Sequence, residues 1–366
     1  MISKYMNILG IKSDCWAMHR NPLALGEDSN RFIYSLENSF LVREFKKFLS
    51  LRYVLIYDVV FFNFGSTLFM PFPKYRFDKE VGWNYIRLYI YSHYRKMMQI
   101  IEVSFLKLMK VKVVVQFQGS DARQKDYCRN NYDFYLPLYD GNYTKSDRLR
   151  DVNKREQINI FNKISSRIYS LNPDLMNVLP NKTKFLPYCH IDLNIWKPSN
   201  SVRNNGTLKI GHAPSKRNVK GTEDIIQCVS NLRKESDVEF EFILIENVCR
   251  NEARKLYEGI DLLIDQLYAG WYGGVAVELM ALGKPVLCYL RESDLSYIPK
   301  GMKDDLPIIN VNPTNLEKVL IDFFKLSFEQ IHELGMRSRR YVDKWHDPQK
   351  NVSNLARELE LLNNFT

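Results

Sequence analysis

Residues 270–287 read GWYGGVAVELMALGKPVL, and this stretch decides the predicted fold. The run before it, residues 261–267, is apolar enough to form a buried parallel strand. Three glycines then allow a tight turn, and a helix is predicted over residues 275–282. A glycine and a proline end that helix before the next strand. The order of strand, glycine turn, helix and strand indicates an α/β fold whose helix N-terminus favours a bound anion.

Glu278 lies one helical turn beyond the glycines, where a carboxylate is well placed to accept hydrogen bonds from sugar hydroxyls. The segment from Trp271 to Val286 resembles the nucleotide-sugar signature of the retaining GT-B glycosyltransferases of family four. The resemblance implies that Glu278 binds the ribose of a nucleoside diphosphate sugar, with Tyr272, Gly273 and Gly274 also at the donor. At the position of Gly270 the family has a further glutamate, which contacts the donor sugar or its phosphates. The resemblance does not imply this contact for Gly270.

A second motif lies upstream, where residues 208–215 are predicted to run as a strand into a loop and His212 ends the strand. The resemblance implies that Lys220 clamps the donor diphosphate and that His212 belongs to the donor site. Arg217 is a looser match for the family's arginine, and Lys216 competes with it. Such cations offset the charge that develops on a departing nucleoside diphosphate. The alternative interpretation is a solvated loop with three surface cations.

Residues 185–198 resemble the segment that ends the first domain in this family, with His190 where glycine is usual. A histidine at such a place is otherwise a loop or packing residue. The polar run that follows is predicted to be a linker. We therefore expect an N-terminal Rossmann-like acceptor-binding domain at 1–190, a C-terminal Rossmann-like nucleotide-sugar domain at 191–345, and a terminal helix at 346–366 that packs back on the first domain.

Alternating strands and helices along the chain predict parallel sheets with right-handed crossovers. Together with the resemblance, this pattern gives the expected fold class: α/β, GT-B, with two Rossmann-like domains whose sheets face a central cleft. The strands are predicted at residues 6–11, 53–64, 111–117, 134–138, 167–171, 184–186, 209–212, 239–245, 261–267 and 286–289. The helices are predicted at residues 40–51, 84–110, 152–165, 222–234, 275–282, 327–345 and 348–362.

In the first half, residues 113–117 are predicted to form a strand that runs into a polar turn at the edge of the cleft. Gln118 stands where family members often have a histidine close to the donor sugar. Asp121 and Arg123 are candidates for contact with acceptor or phosphate, and a turn cap and a surface ion pair are the alternatives. Gly65 ends another strand that faces the same cleft and is a weaker acceptor-site candidate.

The composition, 45% hydrophobic and 26% charged over 366 residues, is that of an ordinary globular protein with two domains. Six scattered cysteines without zinc spacing indicate reduced thiols and a cytosolic protein, and no metal or other cofactor is expected. We find no apolar core of a secretory leader near the N-terminus.

The positive charge is concentrated in the first half: residues 1–190 hold 29 Lys and Arg against 17 Asp and Glu. Nucleic acid is one partner for such a domain, but no zinc-finger spacing or RNP motif occurs there. The anionic inner face of a membrane is the preferred prediction, because residues 84–110 form a basic, aromatic-rich helix. A core-facing helix with a solvated basic face is the alternative.

These observations predict a glycosyltransferase that moves a sugar from a nucleoside diphosphate sugar, with uridine as the expected nucleoside and retention at the anomeric carbon. A saccharide or a lipid-linked acceptor in surface polysaccharide or glycoconjugate biosynthesis is the expected acceptor class. Two alternative functions remain: a sugar-nucleotide epimerase of the same fold, and a non-catalytic basic binding protein. The second remains because Gly270 stands where the family has a glutamate.

Overall fold

The computed structural model describes residues 1–19, 31–70, 83–135, 143–198, 206–235 and 239–362. Its elements alternate between helices and strands, as the sequence pattern predicts. In chain order, the first half contains α1 (Ile2–Ile8), β1 (Trp16–Ala17), β2 (Arg31–Phe32), α2 (Phe40–Ser50), β3 (Val59–Asn63), α3 (Trp83–Leu108), β4 (Lys112–Phe117), α4 (Lys125–Asn131), α5 (Lys145–Ile164), β5 (Ser165–Ser170) and β6 (Lys184–Phe185). The second half contains β7 (Leu208–His212), α6 (Arg217–Lys220), α7 (Thr222–Glu235), β8 (Phe240–Leu244), α8 (Arg250–Gly259), β9 (Leu262–Ile264), α9 (Gly274–Ala281), β10 (Val286–Cys288), α10 (Lys300–Asp304), β11 (Ile309–Asn310), α11 (Leu316–Phe324), α12 (Phe328–Trp345) and α13 (Pro348–Glu358).

The strands form two main parallel sheets, one from each half of the chain. The first has the order β3-β4-β5-β6, and its central strand β4 is buried along nearly its whole length. The second has the order β11-β10-β9-β7-β8. Since β7 pairs with β8 on one side and β9 on the other, the winding direction reverses between β7 and β9. In open parallel sheets, ligands bind beyond the carboxyl ends of the strands at such a reversal.

The second sheet is buried between two apolar layers. On one side α9 and α12 pack against the strands, and α9 is so apolar that most of its side chains are fully buried. On the other side α7 and α11 cover the sheet. This double coverage explains why β9 and β10 consist of apolar residues only.

The last helix crosses back to the first half, as the sequence predicts. Val352, Leu355 and Ala356 of α13 share one buried cluster with Tyr5 and Met6 of α1. A proline at the first turn of α13 and an aspartate cap, whose carboxylate accepts from two backbone amides, start this helix directly after α12.

Three predictions about the first half are wrong. Residues 2–8 form a helix and not a strand, because their apolar side chains recur at helical spacing and pack on α13. Residues 51–56 form a 3₁₀ helix, so that only residues 59–63 of the predicted strand pair in the sheet. Helix α5 begins earlier than predicted because Thr144 and Asp147 form a capping box. The strand predicted at 134–138 lies partly outside the described residues, and residues 134 and 135 are not in a strand.

Candidate functional site

The loops that follow β7 and β9 meet at the reversal point of the second sheet. The first loop carries the short helix α6, which ends at Gly221 with a left-handed φ of 75°. The second loop runs from the end of β9 to Gly273, the N-cap of α9. The topology therefore brings the lysine loop and the glycine turn together, although about fifty residues separate them in the chain.

Lys220 and Asp265 form a buried ion pair at this point. The Nζ atom of Lys220 lies 2.6 Å from Oδ1 of Asp265, and the two side chains are 9% and 1% exposed. The other carboxylate oxygen of Asp265 accepts a hydrogen bond of 2.6 Å from the backbone amide of Gly273. One carboxylate therefore fixes both the lysine and the glycine turn, and the sequence analysis did not identify it. In the sequence, Asp265 can be recognised as a charged residue directly after a wholly apolar strand.

Gly273 is required by the close approach of the lysine. A Cβ atom at this position would lie 2.7 Å from Nζ of Lys220, which is closer than side chains pack. Because its amide is already bonded to Asp265, the anion-binding end of α9 begins at Gly274. Since the N-cap residue is a glycine, no side chain caps the first turn of α9. That turn therefore presents backbone amides and the positive end of the helix dipole.

Glu278 projects from the first turns of α9 beside two basic groups. Its Oε1 atom lies 3.7 Å from Nε2 of His190 and 3.6 Å from Nη2 of Arg250. The glutamate side chain is only 12% exposed, whereas the histidine and the arginine are about one third exposed. His190 also lies against the glycine turn, since a Cβ atom on Gly274 would be 3.2 Å from its Nε2 atom. Arg250 was not among the predicted site residues, because it follows a different strand, β8.

The two other predicted cations lie apart from the buried ion pair. Arg217 donates from Nε to Glu223 at 2.9 Å and from Nη1 to Glu246 at 2.8 Å. Its contacts are thus with α7 and with the loop after β8. Lys216 is exposed and caps α6 through its backbone. The structure places Lys220, and not these two residues, at the glycine turn.

His212, predicted to belong to the donor site, joins three elements of the second half in the structure. Its ring is fully buried, with Nδ1 2.8 Å from the carbonyl oxygen of Ile264 and Nε2 2.8 Å from Oγ1 of Thr222. A carbonyl only accepts, so Nδ1 carries the proton and Nε2 accepts from the threonine. Burial lowers the pKa of His212 to about 4, which keeps the ring neutral. Both ring nitrogens are therefore used to join the ends of β7 and β9 to α7.

Tyr272, also predicted at the donor, makes its hydrogen bonds inside the protein. Its side chain is fully buried, and its hydroxyl lies 2.8 Å from Nε2 of His346 and 2.9 Å from the hydroxyl of Tyr341. The other ring nitrogen of His346 donates to the carbonyl of Tyr188. This chain of hydrogen bonds links the glycine turn to the point where the C-terminal segment crosses to the first half.

Gly270, the departure from the family pattern, faces an arginine. It has a left-handed φ of 77°, and a Cβ atom would lie 2.6 Å from Nη1 of Arg291. Arg291 pairs with Asp294 at 2.7 Å and donates at 2.9 Å to the carbonyl of Phe134, in the first half of the chain. Its guanidinium also lies 3.4 Å from the ring centroid of Tyr132. The space that a larger residue at position 270 would need is thus filled by a cation that bridges the two halves.

The site residues predicted in the first half lie at or beside the turn that directly follows β4. In the structure Asp121 caps this turn. Its carboxylate accepts from the backbone amides of Gly65, Gln118 and Gly119, at 2.7 to 3.1 Å. The side chain of Gln118 donates to Asn63. Arg123 forms a two-point ion pair with Asp174, with Nε 2.6 Å from Oδ2. Asp121 and Arg123 therefore stabilise the turn and the sheet edge, and their predicted contact with an acceptor is not favoured.

Comparisons with known proteins identify the fold. No family profile matches the chain, and no curated protein matches its sequence. Among solved structures, the sucrose-phosphate synthase of Thermosynechococcus elongatus is similar over 100% of this chain and 92% of its own, with 12% identity and a TM-score of 0.57. A glycosyltransferase from Rickettsia africae matches over 100% and 94%, with 13% identity and a TM-score of 0.56. The Anabaena protein HepE, solved with UDP-glucose, matches over 90% and 85%, with 12% identity and a TM-score of 0.55. The chain therefore has the GT-B fold, as the sequence predicts.

Proposed function

We propose that this protein is a glycosyltransferase that transfers a sugar from a nucleoside diphosphate sugar to a hydroxyl acceptor with retention at the anomeric carbon. The observation that carries the proposal is the grouping of Lys220, the first turn of α9 and Glu278 at the reversal point of the second sheet. Each matches one part of a nucleotide donor: a cation and amides for the diphosphate, and a carboxylate for the ribose.

The ion pair with Asp265 leaves Lys220 able to bind an anion. An ammonium group has three N–H donors, and the contact with Asp265 uses one of them. The carboxylate also holds the ammonium next to the glycine turn, so the lysine does not have to be ordered when the donor arrives. Preorganised donors of this kind stabilise the charge that develops in a transition state.

In the proposed reaction, the bond between the anomeric carbon and the diphosphate oxygen breaks while the acceptor oxygen bonds to the same face of that carbon. The proton of the acceptor hydroxyl passes to an oxygen of the departing diphosphate. Lys220 and the amides at the start of α9 offset the charge on that leaving group. The proposed reaction has no step that uses a divalent metal. Glu278 orients the nucleoside.

Uridine is the proposed nucleoside. Support comes from two proteins of similar fold: HepE in its complex with UDP-glucose, and an α-glucosyltransferase that was solved with UDP and a 13-mer DNA and matches 99% of this chain with 10% identity and a TM-score of 0.55. A saccharide or lipid-linked acceptor in glycoconjugate biosynthesis, and a location on the cytoplasmic side of a membrane, belong to the same proposal.

A thermal-shift panel of UDP, GDP, ADP and their sugars tests the donor assignment, because a ligand that binds only the folded state raises the melting temperature. We expect UDP and UDP-sugars to raise it in the wild type and much less in Lys220→Ala and Glu278→Gln. Incubation of the selected UDP-sugar with acceptor extracts then separates transfer from epimerisation. No stabilisation by any nucleotide would end the proposal, and stabilisation without turnover would favour the binding protein.

A further inference from the structure

Helix α2 is amphipathic in the opposite sense to a core-facing helix. Its buried side chains are the polar Glu44, Lys47 and Ser50. Its apolar side chains point outward, and Leu41, Phe45 and Phe48 are 76%, 61% and 50% exposed. Surface helices of globular proteins normally bury the apolar stripe and expose the charged one. The outer face of α2 therefore has the chemistry of a surface that contacts something apolar.

The orientation of α2 is fixed by hydrogen-bonded ion pairs beneath it. The Oε1 atom of Glu44 lies 2.7 Å from Nζ of Lys47 and 3.2 Å from Nη1 of Arg95, which belongs to α3. The ring of Phe40 packs edge-on against Tyr91, also on α3, with centroids 5.0 Å apart. Burial lowers the pKa of Lys47, as expected for an ammonium out of water. A helix that rolled its apolar side inward would have to break these contacts, so the exposed apolar face belongs to the folded state.

Helix α3 presents a second apolar stripe. The side chains at helical spacing on its outer face include Ile90, Met97, Ile100 and Leu108, which are 52% to 77% exposed. The opposite face is buried through Met98, Gln99, Glu102 and Leu106, of which Leu106 packs against Val113 of the first sheet. With 26 residues, the helix is about 39 Å long, roughly twice the length of the adjacent strand β4. The sheet therefore cannot cover α3 along its whole length.

The charges around these faces have one sign. Within residues 40–56 and 83–110 the acids are Glu44 and Glu102, and both are buried. Seven cations of the same segments make no ion pair with either acid and share these segments with the exposed apolar residues: Arg43, Lys46, Arg52, Arg87, Lys96, Lys107 and Lys110. Arg87, Lys96 and Lys107 lie beside the outer stripe of α3 and are exposed. A partner must therefore be apolar in its interior and negatively charged at its surface.

We propose that the outer faces of α2 and α3 bind the surface of a bilayer that contains anionic lipids. Phenylalanine, leucine and isoleucine enter the boundary between headgroups and acyl chains, while lysine and arginine contact the lipid phosphates. A second copy of the chain fits less well, because two copies of this face would oppose cations with cations. Among the described helices, none is long and apolar enough to cross a membrane. The proposal does not depend on the identity of the reaction.

Vesicle flotation with the full chain tests this surface, with vesicles of phosphatidylcholine alone and of phosphatidylcholine with phosphatidylglycerol. We expect binding to the anionic vesicles that weakens with salt and is lost from the neutral ones. The double variant Phe45→Ser/Phe48→Ser removes two exposed rings and should bind at least about tenfold more weakly. Lys96→Gln and Lys107→Gln should each weaken binding about fivefold.

The matched control is Leu256→Ser/Ile321→Ser, which removes two apolar side chains that are 40% and 39% exposed in the second half. This control should float like the wild type, and all variants should keep the wild-type melting temperature. Three results would overturn the proposal: equal binding to neutral and anionic vesicles, a dimer by light scattering that Phe45→Ser/Phe48→Ser dissociates, or duplex DNA that binds to this face and displaces the vesicles.

Discussion

The Nζ atom of Lys220 and the Oδ1 atom of Asp265 lie 2.6 Å apart, in a place from which water is almost excluded. The same carboxylate holds the amide of Gly273, so the two loops at the end of the sheet are tied together through one residue. In the proposed donor site, the lysine assigned to the diphosphate is thus oriented in the absence of a ligand. This relationship makes the proposed donor site testable by substitutions that separate charge from shape.

Replacing Lys220 with alanine removes the buried cation from the glycine turn. We expect a loss of roughly 2–4 kcal/mol of transition-state stabilisation, or about a hundredfold to a thousandfold in turnover, as for other preorganised donors. Steady-state kinetics with the donor found in the thermal-shift panel measures the effect. Lys216→Ala, an exposed cation four residues away, is the control and should change turnover little. A Lys220→Ala enzyme with near wild-type rates would remove the diphosphate assignment.

Asp265→Asn keeps the shape of the side chain but removes the negative charge beside the lysine. An unpaired buried ammonium destabilises a protein by about 3–5 kcal/mol. A bound diphosphate would restore the missing charge, so UDP should raise the melting temperature of this variant by more than it raises that of the wild type. Urea unfolding measures the loss of stability, and thermal unfolding with and without UDP measures the two shifts in melting temperature. Equal shifts in the two proteins would show that the lysine does not face the ligand.

Glu278→Gln tests the ribose contact. A carboxylate accepts two hydroxyl donors, and a hydrogen bond to a charged group contributes about 1.5–3 kcal/mol. We therefore expect the wild type to bind UDP more tightly than 2′-deoxy-UDP, and the variant to lose most of this preference. Titration calorimetry of both ligands with both proteins forms a double-mutant cycle. A preference that survives in Glu278→Gln would place the ribose elsewhere.

Gly270→Ala introduces a side chain where Arg291 lies. The left-handed backbone alone costs an alanine about 1–2 kcal/mol, and the Cβ atom would also displace the guanidinium. We expect reduced stability in urea unfolding, with a non-additive effect when Arg291→Ala is combined with it. Gly259→Ala is the matched control, since nothing lies within 4 Å of a Cβ atom there. If Gly270→Ala is as stable as this control, Arg291 does not set the residue at position 270.

The buried His212 predicts a loss of stability in acid. Its pKa is lowered from 6.5 to about 4 in the folded protein, so the unfolded chain binds the proton more readily. The contribution of the neutral ring is therefore present above pH 6.5 and is lost as the pH falls toward 4. The free energy of unfolding, measured by urea between pH 7.5 and 4.5, should fall less steeply for His212→Asn than for the wild type. His332→Asn on α12 controls for the loss of an imidazole elsewhere, and equal slopes for all three proteins would contradict the assignment.

Sequence patterns predicted eight elements of the second half, β7 to β10 and helices α7, α9, α12 and α13, because each depends on neighbours in the chain. Five further elements of that half were not predicted: α6, α8, α10, α11 and β11. Apolar runs marked β9 and β10, and the glycines before Glu278 marked the start of α9. The helices and strands of the first half were predicted less accurately. Part of helix α1 was mistaken for a strand because the predicted segment, residues 6–11, leaves out Ile2 and Tyr5, whose positions complete the helical spacing.

The roles of single side chains were harder to predict than the elements that carry them. His212 and Tyr272 stand at the positions expected for donor contacts, yet both are fully buried and hydrogen-bonded inside the protein. Spacing in the sequence shows which residues share a loop or a helix face. It does not show which buried atoms of distant segments meet.

The sequence by itself determined the alternation of strands and helices, the glycine turn, and the placing of a lysine and a glutamate at the ends of two parallel strands. Only the tertiary structure decided that Asp265 holds that lysine, that Arg291 lies against Gly270, and that α2 turns its apolar face outward. The physical reason is that local order follows from contacts between near neighbours along the chain. Charge pairing and burial instead depend on which strands and helices the fold brings side by side.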